Sequence, residues 1–347
     1  VETPVAVNNT LEPAVINSGS GGTNNLSVEY VYTNNLITAL YHLYGSVLDH
    51  FVDITLTNSG TSPMKIIVKT EVEGYTTQAV DTVEVEANDK LELHQNPMLV
   101  PEAVDKLSSQ KPGNFHIQVV WVDDGDEKVI LDETQQILIY SRRDFVWING
   151  FDVPGEYELL SAWVTPNDPA VEKLIRDGAD YDSTGTMTSG YGDEADDGDG
   201  SVWRRLEAIW NAEKDTYHLT YVSTMTTFGP GAVQRIRLPA EVLDQSSGNC
   251  VELAALYASA GEALGLETAI VRIPGHAYTA IRTDAENARY YFVETTMIGQ
   301  YDFADAISRG NEEWKDAKPH FDANEEGYAW VNIPDARAKG ILPIPWN

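Results

Sequence analysis

The sequence is almost without thiols: Cys250 is the single cysteine in 347 residues. No intrachain disulfide and no multi-thiolate metal centre can be built from it. Bases are scarce as well. Against 54 Asp and Glu stand 23 Lys and Arg, a formal net charge of −31. Phosphate binding needs clustered cations, so nucleic acid is excluded as a main partner, and an anionic membrane surface is disfavoured. No apolar run reaches the ~18 residues of a bilayer-spanning helix. The histidines, His42, His50, His94, His116, His218, His276 and His320, form no HxH or HExxH pair. By that pattern no zinc centre is expected.

What is present suffices for a folded protein. Apolar residues make up 42% and aromatics 10%, enough to bury a sizeable core. At about 150 residues per domain the length points to roughly two domains. The chain opens on Val, and residues 1–25 are rich in Asn, Thr, Ser, Gly and Pro. They read as a flexible tether. With the acidic surface, this gives the expectation of a secreted protein at the extracellular or cell-surface side of a bacterium.

Residues 26–144 alternate apolar and polar side chains in short segments: Leu26–Thr33, Phe51–Thr57, Met64–Val72, Ala79–Val85, Lys90–Leu93, Phe115–Val122 and Val129–Tyr140. Turn residues such as Asn58-Ser59-Gly60 and Asp123-Asp124-Gly125-Asp126 separate several of them. This pattern predicts an all-β sandwich of immunoglobulin-like size, with one short helix near Val100–Leu107. Residues 145–347 change character. Ala170–Arg176 and Val202–Lys214 have helical spacing, and Asn249–Leu264 is the strongest helix, closed by Gly265. Strands follow at Thr268–Ile273, Ala277–Thr283 and Arg289–Thr295, which makes this half α+β. Between the helices, Asp177–Gly200 holds eight acids and no base. Asp193, Asp197 and Asp199 could offer oxygens to calcium, but Ala195 interrupts the pattern and no Glu stands where an EF-hand needs one. A plain solvated loop is the expectation, and no cofactor is implied.

The chemistry concentrates in three places. In Ser246-Ser247-Gly248-Asn249-Cys250-Val251-Glu252 the cysteine stands in the first turn of the long helix. Unpaired N–H groups and the helix dipole there favour a thiolate. His276 opens a strand, and Glu294 ends the next. A hairpin centred at residue 285 pairs positions summing to 570, which sets His276 opposite Glu294 on one face. A thiol nucleophile, a base and an orienting carboxylate are the parts of a cysteine acyl-transfer site. The Cys250 N–H is one oxyanion donor, and Gln245 and Asn249 are side-chain candidates.

The run Gly-Asn-Cys-Val-Glu-Leu-Ala opening a helix, then Gly-His at a strand start, then Glu-Thr-Thr, resembles the transglutaminase-like superfamily of papain-type cysteine enzymes. The resemblance covers roughly residues 145–347 and is densest from Arg237 to Gly299. It implies Cys250 as nucleophile, His276 as base and Glu294 as third member, where the family more often has Asp. It implies a hydrolase of peptide or other amide bonds, a thiol protease in the broad sense, with a protein or peptide substrate. The alternatives are a transamidase that cross-links proteins, and a non-catalytic surface or binding protein on the same scaffold.

Overall fold

A computed structural model describes residues 16–23, 25–146, 156–191, 198–223, 233–286 and 288–345. It is a mixed α/β protein with several sheets. Described residues up to 146 fall in one compact unit and those from 156 onward in a second.

The first unit has two sheets. Strands β1 (Ile16–Gly22), β2 (Leu26–Thr33), β4 (Val52–Asn58) and β7 (Asp89–Gln95) form an antiparallel sheet in the order β1-β2-β4-β7. Strands β3 (Asn35–Ile37), β5 (Met64–Val72), β6 (Ala79–Val85), β8 (Lys111–Asp123) and β9 (Asp126–Tyr140) form the other, in the order β3-β9-β8-β5-β6. The alternation in the sequence is what buries every second side chain: Leu26, Val28, Tyr30 and Tyr32 on β2, and Ile66 and Val68 on β5. Both sheets feed one buried cluster, and Tyr32 of the first stacks on Phe115 of the second at 5.0 Å. The short helix α1 spans Pro101–Val104.

The tether reading fails for residues 16–22. They form β1, paired with β2 from Ile16↔Thr33 to Gly22↔Ser27. A ladder uses backbone groups, which a Gly/Ser run supplies as well as any other. The small residues are also required here: a Cβ on Gly19 would lie 2.2 Å from the Tyr30 ring. Residues 1–15 lie outside the described ones.

In the second unit, strands β10 (Thr268–Ile273), β11 (His276–Arg282), β12 (Tyr290–Val293) and β13 (Ala329–Asn332) make an antiparallel sheet in the order β12-β11-β10-β13. Helices α2 (Pro169–Gly178), α3 (Gly198–Asn211), α4 (Pro239–Asp244), α5 (Cys250–Ala263), α6 (Phe303–Asp322) and α7 (Ile333–Ala338) complete it. Ile281 and Val293 pack with Leu256 and Tyr257 of α5. Tyr278, Ala280 and Phe292, of opposite parity, pack with Ala317 and Phe321 of α6. A sheet covered on both faces explains why β10 is buried at nearly every position.

The described residues of the acidic segment, 177–191 and 198–200, are not a free loop. Helices take both its ends, and Asp182 is buried against the Arg204 guanidinium and accepts from Thr184 N and Oγ1 at 2.7 and 2.6 Å. The fully buried Arg205 donates to the carbonyls of Thr188 and Gly190. The segment has no base of its own, so two consecutive arginines of α3 supply the charge. Asp193 and Asp197, two of the calcium candidates, lie outside the described residues. Asp199 falls in the first turn of α3.

Candidate active site

Cys250 occupies the first position of α5, a helix with twelve of its fourteen residues buried. Its start is fixed by a reciprocal cap. Asn249 Oδ1 accepts from Glu252 N at 3.0 Å, and Glu252 Oε2 accepts from Asn249 N at 2.9 Å. Glu252 is itself held by Arg237, whose Nη2 donates to Oε2 at 2.7 Å and whose backbone N and Nε donate to Oε1 at 2.9 and 3.0 Å. Arg237 Nη1 also takes Gln245 Oε1 at 2.6 Å. The two oxyanion candidates therefore have structural duties: Asn249 caps the helix, and Gln245 accepts from Arg237. Cys250 is 6% exposed.

His276 opens β11 and joins Cys250 to Glu294. Its Nε2 lies 2.7 Å from Glu294 Oε2, and Cys250 is near enough for its side chain to raise the imidazole pKa. With Nε2 committed to the carboxylate, Nδ1 is the nitrogen left for sulfur. Burial acts to lower the His276 pKa. The hydrogen bonds to Cys250 and Glu294, with the charge of both, outweigh it and raise the pKa to about 10. The imidazolium form is held across neutral pH.

The hairpin register differs from the expected one. Thr279 pairs with Val293 and Arg282 with Tyr290, a sum of 572 rather than 570. His276 and Glu294 are thus diagonal neighbours, not directly opposed. An even slip keeps both on one face, and diagonal positions about 7–8 Å apart remain in reach of a long side chain. Glu rather than Asp is the residue that spans such a gap. Glu294 also caps the 3-10 turn Thr295–Met297, accepting on Oε1 from Thr296 N at 3.0 Å and from Thr296 Oγ1. One carboxylate oxygen is fixed by Thr296, the other faces histidine. Burial works to raise the Glu294 pKa, but the His276 bond and charge, with Glu313 and Thr296, bring it below the usual range.

Two participants are absent from the sequence reading. Glu313 of α6 places Oε2 3.7 Å from His276 Nε2, and Arg309 Nη2 lies 2.9 Å from its Oε1. Burial, then hydrogen bonding and repulsion with Glu294, push the Glu313 pKa up. These residues, with Ile273, Thr296, Met297 and Tyr301, line a cavity of about 580 Å³. No motif marks Glu313, which rides on α6, a helix the sequence pattern does not announce.

No protein-family model matches the chain, and no curated protein matches it. Solved structures give distant likenesses. A protein from Archaeoglobus fulgidus is 9% identical over 35% of this chain and 93% of its own, with a TM-score of 0.21. A FixG-related protein from Vibrio parahaemolyticus is 16% identical over 34% of this chain and 98% of its own, TM-score 0.20. A protein described as a proposed cysteine protease from Cytophaga hutchinsonii is 10% identical over 82% of this chain and 80% of its own, TM-score 0.23. At these scores none of the three carries an argument about the fold or the chemistry of this chain.

Proposed function

We propose that the second unit is a transglutaminase-like cysteine enzyme that cleaves a peptide or other amide bond through an acyl-enzyme on Cys250. The observation that carries this reading is Cys250 at a helix N-terminus beside His276, whose imidazole is hydrogen-bonded to the Glu294 carboxylate and has its pKa raised by both neighbours. In this scheme the sulfur attacks the amide carbonyl. The Cys250 backbone N–H, free of an intrahelical acceptor at the first position, donates to the developing oxyanion. His276 passes its proton to the leaving amine, and water then releases the acid with His276 as base. Glu294 fixes the ring and balances the imidazolium. The two sheets of the first unit are proposed as an immunoglobulin-like sandwich serving as spacer or docking module.

The test is mass spectrometry of the intact chain after incubation with a peptide library. An acyl adduct on Cys250, lost in Cys250→Ala, is expected. Its fate in the presence of a primary amine separates hydrolysis from transamidation. A thiol that forms no adduct and resists small electrophiles in the folded chain would favour the non-catalytic reading.

A further inference from the structure

We propose that His50, Asp53 and His94 of the first unit form a site for a divalent transition-metal ion of the zinc type. Asp53 on β4 and His94 on β7 are direct cross-strand partners, and His50 stands three residues ahead of Asp53. The register brings together residues 41 positions apart, which a scan for neighbouring histidines cannot see. His94 Nδ1 lies 2.6 Å and His50 Nδ1 3.3 Å from the same atom, Asp53 Oδ1. The two rings stack with centroids 4.3 Å apart and planes 20° from parallel, so both must turn about their side-chain bonds before their in-plane lone pairs converge on one ion. The three donor atoms all lie within 4.8 Å of one another.

Two edges of this triangle, 3.3 and 2.6 Å, can be compared with those of a coordination shell. Bonds of about 2.0–2.1 Å in tetrahedral geometry give ligand–ligand edges of about 3.3 Å. The His50–Asp53 edge already has this length. The His94–Asp53 edge must open by about 0.7 Å by the same reckoning, a small change for half-exposed side chains. Two imidazole nitrogens and one carboxylate oxygen select zinc, nickel or copper over calcium and magnesium, which take oxygen shells. Side-chain exposures of 34%, 45% and 50% leave the ion a path and leave a fourth position for water.

The consequence is mechanical. Strand β7 ends the first sheet, and its His94 would be joined to His50 in the turn that leads into β4. That turn is already tied there by Asn96, whose Oδ1 accepts from Phe51 N at 2.7 Å. An ion would close the same connection more firmly and stabilise the unit by mass action.

The test is calorimetric titration of the full chain with zinc chloride, in a Cys250→Ser background that removes the only thiol. A saturable site and a rise in melting temperature are expected. A supporting outer-shell group alone is worth about 10–100-fold in metal affinity, so His94→Gln and His50→Gln should each weaken it by about 100-fold or more. Glu313→Gln, at the other histidine–carboxylate cluster, should leave the isotherm unchanged. Both histidines are substituted at the surface, and circular dichroism checks the fold. Asp53→Asn gives a third, independent loss. Unchanged isotherms in the histidine variants, or a loss confined to Glu313→Gln, would overturn the proposal. A preference for calcium over zinc would overturn it equally.

Discussion

Glu294 carries two loads through two oxygens, one to Thr296 and one to His276. Replacing it by Gln keeps the shape but leaves the imidazolium without a counter-charge. Loss of the equivalent carboxylate costs about 10⁴ in the serine-protease case. A thiol that needs less help from its base should lose less, so Glu294→Gln is expected to lower peptide turnover about 10–10³-fold. Glu294→Asp, too short for the diagonal, should cost activity as well. Turnover and circular dichroism of both variants check this, and an unaltered rate in Glu294→Gln would place the third member elsewhere. The pH profile gives a second reading. With the His276 pKa raised to about 10, turnover should hold through neutral pH and fall as pH rises through that value, since the leaving amine then lacks a proton donor. Alkylation of Cys250 needs no such proton and should continue above it. In Glu294→Gln the raising influence of the carboxylate is gone, so the alkaline limb should move to lower pH. The three residues of this chain were legible because each sits at a recognisable start or end of an element. Their diagonal register was not, because the turn sets the pairing and a polar turn can centre on either of two adjacent residues.

Elements differ in how plainly they announce themselves. Strands β2, β5 and β6 follow from alternation alone, and α5 from a dense run of helix formers with a cap. Helix α6 is hidden by Gly310 and by Pro319 near its end, and by the small size of some of its buried residues, Ala306, Gly310 and Ala317. The glycine that hides it also positions it. A Cβ on Gly310 would lie 2.2 Å from the Phe292 carbonyl oxygen on β12, an atom that cannot swing aside. The helix comes this close while Trp314 stacks on Phe292 at 4.7 Å and Ala306 O accepts from Glu294 N at 3.1 Å. Gly310→Ala should therefore push α6 off the sheet and cost about 1–3 kcal/mol, as overpacking does, despite the better helix propensity of Ala. Because Glu313 and the Glu294 backbone ride on the same contact, turnover should fall more than stability alone accounts for. Chemical denaturation and kinetics together check it. A variant as stable and active as the parent would show that the close approach is not required.

Across the whole molecule, each unit encloses a core of its own. Tyr30, Phe51 and Phe115 belong to the first cluster, and Trp210, Leu256 and Tyr257 to one in the second. The composition shift near residue 145 is the reason two domains are expected from the sequence. The strand at residues 16–22 was not legible, because its glycines look like linker until the Tyr30 ring packed over them is known. Two cores with separate side chains predict two unfolding transitions rather than one, since cooperativity follows shared burial. Core truncation separates them. Phe115 and Leu256 are both fully buried, so Phe115→Ala and Leu256→Ala should each cost about 2–5 kcal/mol. Phe115→Ala should lower only the transition that zinc raises, if His50, Asp53 and His94 hold the ion. Leu256→Ala should lower only the transition that coincides with loss of Cys250 acylation, because its helix carries that cysteine at its first position. Differential scanning calorimetry, paired with adduct formation measured at rising temperature, reads both. If either substitution moved both transitions equally, the two cores would be unfolding as one cooperative body, and the first unit could not be treated as a module separable from the chemistry of the second.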